Sequence, residues 1–277
     1  MRRDAKVPGL IIHADQDKCV KCGICVKVCP SCIIIMTDKG PEAISDRGCM
    51  SCGHCVAVCP KGALINTRCP LEEQEAIPEE TIDSKAALHL LRKRRSIRNF
   101  TDELVSEEKL RELLNAARYA PTAANSQGMY YIVLSDKQMI RRVADLTAAW
   151  MQGEIEKGTP TSRYFASVLH TYKDRGIDII ARNAQQMIFA LGRKLNVTAI
   201  SNCEQAFAYA ELYAPTLGLG TTIMGFIQTC GQANYGPLRE LLKVPAKQVI
   251  VGAMIVGYPK YKYQRLAARQ HLKVEFR

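Results

Sequence analysis

Two runs of cysteine carry the most specific chemistry in this 277-residue chain. CVKCGICVKVCP spans residues 19–30 and CMSCGHCVAVCP spans residues 49–60, and both read C-x2-C-x2-C-x3-C-P. Thiolates at this spacing suit iron–sulfur cubes: three close cysteines wrap one cube on a turn of backbone whose amides point at sulfur, and the fourth reaches the neighbouring cube. That assigns Cys19, Cys22, Cys25 and Cys59 to one [4Fe–4S] centre and Cys49, Cys52, Cys55 and Cys29 to a second. Pro30 and Pro60 end each run. Zinc also takes four thiolates, but a doubled eight-cysteine pattern with prolines in register favours clusters. Cys32 and Cys69 fall outside the pattern and are not expected to be ligands. His54, inside the second run, is expected to tune its surroundings, and the isolated Cys203 and Cys230 read as buried small hydrophobes.

The stretches IIIMTDKG and ALINT follow the two runs and read as short strands. Over roughly residues 10–68 the chain resembles a bacterial two-cluster ferredoxin. A first domain is expected over residues 1–69. An acidic, proline-bearing linker follows over 70–87, and a larger domain over 88–277.

The charge is unevenly spread. Residues 1–80 hold 10 Lys and Arg against 11 Asp and Glu, so the formal charge of +11 belongs to the larger part. A basic domain raises the question of nucleic acid, but helix-turn-helix and zinc-finger signatures are missing and aromatics for stacking are few. A phosphate-bearing cofactor or an acidic protein partner accounts for the charge as well. No apolar run approaches the ~18 residues of a membrane span, and the N-terminus is a poor signal peptide. Cysteines crowded into metal-thiolate runs suit a reducing compartment, so a cytoplasmic location is expected.

The elements of the larger part are mixed. SKAALHLLRKRRS reads as a helix with Ser84 as its cap, and SEEKLRELLNAARYAP as a helix capped by Ser106 with Leu110, Leu113, Leu114 and Ala117 on one face. Residues 129–135, 185–191 and 248–258 read as strands, separated by helices such as CEQAFAYAELYAPTLG. The expected class is α+β or α/β.

RRSIRNF packs Arg94, Arg95, Ser96 and Arg98 into five positions, a natural phosphate clamp. APTAANSQ (120–127), LGLGTTIMG (217–225) and GYPKYKYQRLAAR (257–269) follow in that order. Together these segments resemble the flavin-binding segments of the nitroreductase family over roughly residues 86–270, so the whole chain looks like a ferredoxin–nitroreductase fusion. The resemblance implies an α+β FMN-binding domain that forms a homodimer with its sites at the dimer interface. It implies that Arg94, Arg95, Ser96 and Arg98 hold the FMN phosphate, ribityl chain and pyrimidine edge. It further implies that Pro121, Thr122, Ala123, Asn125 and Gln127 of the other subunit cover the flavin, and that backbone at Gly218, Leu219 and Gly220 approaches its N5 and O4. Arg265 and Arg269 are the C-terminal phosphate candidates. Two departures, Gly128-Met129 where relatives often carry Pro-Trp and Ile223 where they often carry an aromatic, leave substrate choice open.

The resulting expectation is an FMN-dependent oxidoreductase. Single electrons from a ferredoxin-type donor pass through the clusters to FMN, which reduces a small nitro, quinone or other conjugated compound. Other readings are a non-catalytic electron relay to a protein partner, a redox sensor, or an NAD(P)H-driven reductase whose clusters are the outlet. No catalytic acid is identified. Tyr164, His170 and Tyr172 are available donors, although each reads more simply as an ordinary surface or core residue.

Overall fold

The computed structural model describes residues 11–277, so the signal-peptide reading of the first ten lies outside the described residues. The chain divides into two units after Thr81, and residues 124–126 group with the first.

The first unit is an internal duplication offset by thirty residues. Two one-turn helices, α1 (Ile24–Lys27) and α2 (His54–Ala57), each follow a left-handed glycine, Gly23 at φ 75° and Gly53 at φ 74°. The same sense recurs two residues earlier, at Lys21 and Ser51. Strand β1 (Ile12–Ala14) pairs antiparallel with β4 (Leu64–Asn66), and β2 (Ile34–Thr37) with β3 (Gly40–Ala43). Ile12, Ile34, Val56 and Leu64 form a small core together with Cys25 and Cys55. Of these strands, β1 has only three residues and β3 carries Pro41, so neither shows a strand pattern in sequence. A two-stranded ladder tolerates the proline because one of its edges is free.

The second unit is built on a four-stranded antiparallel sheet. Its order is β5 (Tyr130–Leu134), β6 (Gln186–Arg193), β8 (Gln248–Gly257), β7 (Gly220–Ile223). Alternation along the strands feeds two cores. Met187, Phe189 and Ile255 pack with α5 (Lys137–Glu156), α6 (Ser162–Leu169) and α8 (Gly225–Gln232). Ile188, Ala190 and Met254 pack with α4 (Glu107–Ala117) and α7 (Ala199–Tyr213). Covered on both faces, β6 and β8 are apolar throughout their centres. The short α3 (Ser84–Lys93) precedes the sheet, and α9 (Gly236–Leu241) leads into β8. Contact between α7 and β8 is close enough that a Cβ on Gly252 would lie 2.4 Å from Cys203 Sγ.

Ser106 caps α4 as expected, its hydroxyl accepting from Lys109 N. For α3 the cap is Asp83, whose carboxylate accepts from Ala86 N at 2.8 Å, and Ser84 is the first helical residue. Helix α3 thus begins inside the stretch expected to be linker. Strand β7 lies in the segment LGLGTTIMG, which shows no strand pattern in sequence, and only its pairing with β8 makes it a strand. Among the described residues, no helix is long and apolar enough to cross a membrane.

Candidate cofactor sites

In the first unit the eight cysteines of the two runs fall around two small cavities. Cys19, Cys22, Cys25 and Cys59 line one. Cys29, Cys49, Cys52 and Cys55 line the other. Among the described residues, no three Cys, His, Asp or Glu side chains converge as they would on a single ion. Four sulfurs spread around a cavity fit a cube-sized group with one thiolate per corner. The backbone suits thiolates too. Ala63 N–H points at Cys59 Sγ from 3.2 Å, and although burial alone would raise that thiol, the amides of residues 61–64 lower it. Cys25 and Cys55 are pushed up, first by burial and then by neighbouring cysteines. Asn66, 2% exposed, directs its amide at Cys55 Sγ (3.7 Å) and Cys49 Sγ (3.9 Å). Cys32 is exposed and lines neither cavity. Cys69 also lines neither, yet it lies close enough to Cys49, Cys52 and Cys55 for their charges to raise its thiol further, after burial.

The second unit holds a cavity of about 630 Å³, within the range of small-molecule sites. Of the expected cofactor residues, Arg95, Gly218, Leu219, Gly220 and Arg265 line it. Arg95 is held from two sides: its Nη2 donates to Arg265 O at 2.6 Å, and its guanidinium lies 4.8 Å from the Tyr263 ring centroid. Sequence reasoning missed Lys93, Lys260, Lys262 and His89, which bring further positive or protonatable groups to the wall. It also missed Glu211 on α7, the one acid of this wall. Glu211 lies 3.7 Å from Arg94 Nη1, with its side chain 12% exposed. Burial raises its carboxyl, and Arg94 only partly offsets this. A cation-rich wall of this size fits a phosphate-bearing cofactor such as FMN.

The glycines have roles within the chain. Gly218 adopts φ 73°, the left-handed turn that ends the helical segment before β7. A Cβ on Gly220 would meet Ile97 Cγ1 at 2.5 Å, because Ile97 N donates to Thr221 O and residues 96–98 run along β7. Close packing of Ile97 therefore accounts for Gly220.

The remaining expected residues do not line this cavity. Arg94 turns to Ser96 Oγ and Glu211, and Arg98 donates to Ser96 O. Arg269 is exposed. In the segment from 121 to 127, Ala123 N donates to Asn202 and Gln127 N to Thr122 Oγ1, while Asn125 groups with the first unit. The three candidate donors are also elsewhere. Tyr172 is buried and donates to Asp145 Oδ1 at 2.7 Å; burial and that bond push its hydroxyl up. His170 pairs with Asp174 inside a π-helical turn, and Tyr164 packs on Phe226. Cys203 and Cys230 are buried, and burial pushes both thiols up to about 12.

Comparison with known proteins identifies both domains. The nitroreductase family profile matches residues 91–258, and the 4Fe-4S dicluster domain profile matches residues 18–64. A protein of Archaeoglobus fulgidus described as an NADH dehydrogenase/NAD(P)H nitroreductase is 25% identical over 62% of this chain and 85% of its own length. The FMN reductase [NAD(P)H] of Bacillus subtilis is 27% identical over 60% of this chain, which spans only 62% of that relative. The crystal structure of a nitroreductase with bound FMN from Bacteroides fragilis superposes with a TM-score of 0.55, covering 68% of this chain and 98% of that one at 16% identity. At that identity the likeness speaks for the fold. The chain therefore belongs to the nitroreductase family, as an FMN-dependent oxidoreductase that carries a 4Fe–4S dicluster domain ahead of its flavoprotein domain.

Proposed function

We propose that this protein is a homodimeric reductase that takes single electrons from a ferredoxin-type carrier through two [4Fe–4S] clusters and uses FMN to reduce a small conjugated acceptor. Nitro compounds and quinones are the acceptor classes in view. The observation that carries this reading is the presence, in one chain, of two four-cysteine cavities and a separate cation-rich cavity of about 630 Å³. FMN supplies the conversion that iron–sulfur centres lack, accepting electrons singly and releasing them as a pair. On the protein side, Arg95 and Arg265 would face the phosphate, with Arg95 already fixed by Arg265 O and Tyr263. Arg94, Ser96 and Arg98 are proposed at the ribityl chain and pyrimidine edge. Pro121, Thr122, Ala123, Asn125 and Gln127 are proposed to serve the partner's flavin, in keeping with their not lining this chain's own cavity. Cysteines crowded into two metal-thiolate runs suit a reducing compartment, which favours the cytoplasm.

The names of the relatives favour a second reading, in which NAD(P)H reduces the flavin and the clusters drain it. Anaerobic stopped-flow absorbance separates the two. Offered a reduced ferredoxin, the holoprotein is expected to show cluster bleaching first and flavin bleaching second. Fast flavin bleaching by NADH, with the clusters following, would establish the second reading instead.

A further inference from the structure

The internal duplication makes its own control, because each residue of one cluster loop has a counterpart thirty positions away. Around the first cavity stand Lys21 and Lys61; their counterparts at the second are Ser51 and Ser31. Lys27 on α1 corresponds to Ala57 on α2. The second cavity has no charged residue in its wall. Lys21, Lys27 and Lys61 are all exposed. Among the described residues, none of the three has a carboxylate within salt-bridge distance. Lys21 donates to the backbone carbonyl of Asp38, which leaves its charge uncompensated. Of the nearby acids, Asp15 is tied to Lys18 at 3.0 Å.

The two loops also differ in cover. A Cβ on Gly23 would meet open space, whereas one on Gly53 would lie 3.2 Å from Gln74 Nε2. Gln74 is anchored there by donating to Cys69 O at 3.1 Å, so the turn after β4 folds over the second loop. Among the described residues, the first loop has no such cover. Val20 is 60% exposed and Ile24 37% exposed, and Cys22 is exposed where its counterpart Cys52 is half-buried. Two exposed apolar side chains, with lysines that have no carboxylate partner and an exposed cysteine nearby, have the make-up of a small transient interface with a charged rim.

We propose that the Cys19–Cys25 loop, with Val20 and Ile24 at its centre and Lys21, Lys27 and Lys61 at its rim, is the docking surface for a small acidic electron-carrier protein. The first cysteine set is then where electrons enter. This rests on the reading above that an external one-electron carrier supplies the chain. In each encounter the carrier is oxidised by one electron and the iron–sulfur group at the first site is reduced by one, with no bond made or broken. The rim speeds encounter through long-range attraction, and the apolar centre brings the carrier close to Cys22.

The test uses the full-length holoprotein and a small acidic plant-type [2Fe–2S] ferredoxin. Affinity for the oxidised carrier is read by titration calorimetry at low and at high salt. Cluster reduction by the reduced carrier is read by anaerobic stopped flow, with reduced methyl viologen, a cation, as the non-docking donor. Double reversal, Lys21→Glu with Lys61→Glu, is expected to weaken binding and slow reduction by the carrier about tenfold or more at low salt. Salt dependence should fade and reduction by viologen should not slow. Arg47→Glu, a single reversal of the same kind beside the second run, is expected to stay within about twofold of the parent. Equal binding and rates in the parent and the double variant would overturn the docking surface while leaving carrier-fed reduction standing. A parent protein that neither binds nor is reduced by the carrier, yet is reduced by viologen, would overturn the carrier-fed reading and the docking surface with it.

Discussion

At Gly220 one hydrogen atom decides whether residues 96–98 can lie along β7. Gly220→Ala would force a methyl group to within 2.5 Å of Ile97 Cγ1. The expected outcome is a loss of about 1–3 kcal/mol in urea unfolding, with reduced FMN content because Arg95 and Ser96 shift along with Ile97. Sequence inspection picks out this glycine but suggests a different reason, since its neighbour Ile97 lies more than a hundred positions away. Glu211 gives a pH prediction. Its folded carboxyl is raised by burial above the usual 4.5, with Arg94 opposing. Above pH 4.5 the native state therefore holds more protons at this group than the unfolded chain, so stability falls as pH rises towards the folded value. Glu211→Gln is expected to flatten that slope when melting temperature is followed against pH. An unchanged slope would show that Glu211 does not titrate in this window.

At the scale of elements, the segment entering β6 depends on one carboxylate. Asp178 Oδ1 accepts from Ile180 N and Ala181 N at 3.1 and 2.7 Å, and Oδ2 accepts from Asn183 N at 2.9 Å. This holds Arg182 and Asn183 in left-handed backbone, at φ 59° and 48°. Asp178→Ala is expected to cost about 3 kcal/mol in urea unfolding, since it leaves buried N–H groups without partners. Ser106→Ala, at the cap of α4, should cost only about 1 kcal/mol. The second of these was readable in advance and the first was not. Ser106 precedes an acidic first turn and an apolar face, a wholly local pattern. Asp178 sits in an irregular stretch whose hydrogen bonds exist only once the chain has turned. For the same reason the long apolar β6 and β8 are apparent in sequence, whereas β7, four residues with two threonines, is not.

At the scale of the whole molecule, the two kinds of cofactor should be separable by mutation. Anaerobically prepared protein is expected to carry about eight iron atoms per chain, along with FMN. Cys22→Ser should reduce iron content and cluster absorbance while leaving FMN bound. Arg94→Ala with Arg98→Ala should do the reverse. Full flavin content in that double variant would show that the two arginines do not hold the cofactor.

By itself the sequence determined what depends on near neighbours along the chain. Cysteines three residues apart must share a loop, so the duplication and the ferredoxin-like module were readable from spacing. The order of RRSIRNF, the glycine segment and the C-terminal basic segment likewise gave the flavoprotein family. Tertiary structure alone decided which charges face a cavity and which loop is left uncovered. Lys93, Glu211 and Lys262 share one wall across some 170 positions of chain, and Gln74 covers Gly53 but leaves Gly23 open. Those contacts are set by strand pairing and by close packing at glycines, and the two cluster loops, nearly alike in spacing, become unlike only when the rest of the chain folds against one of them.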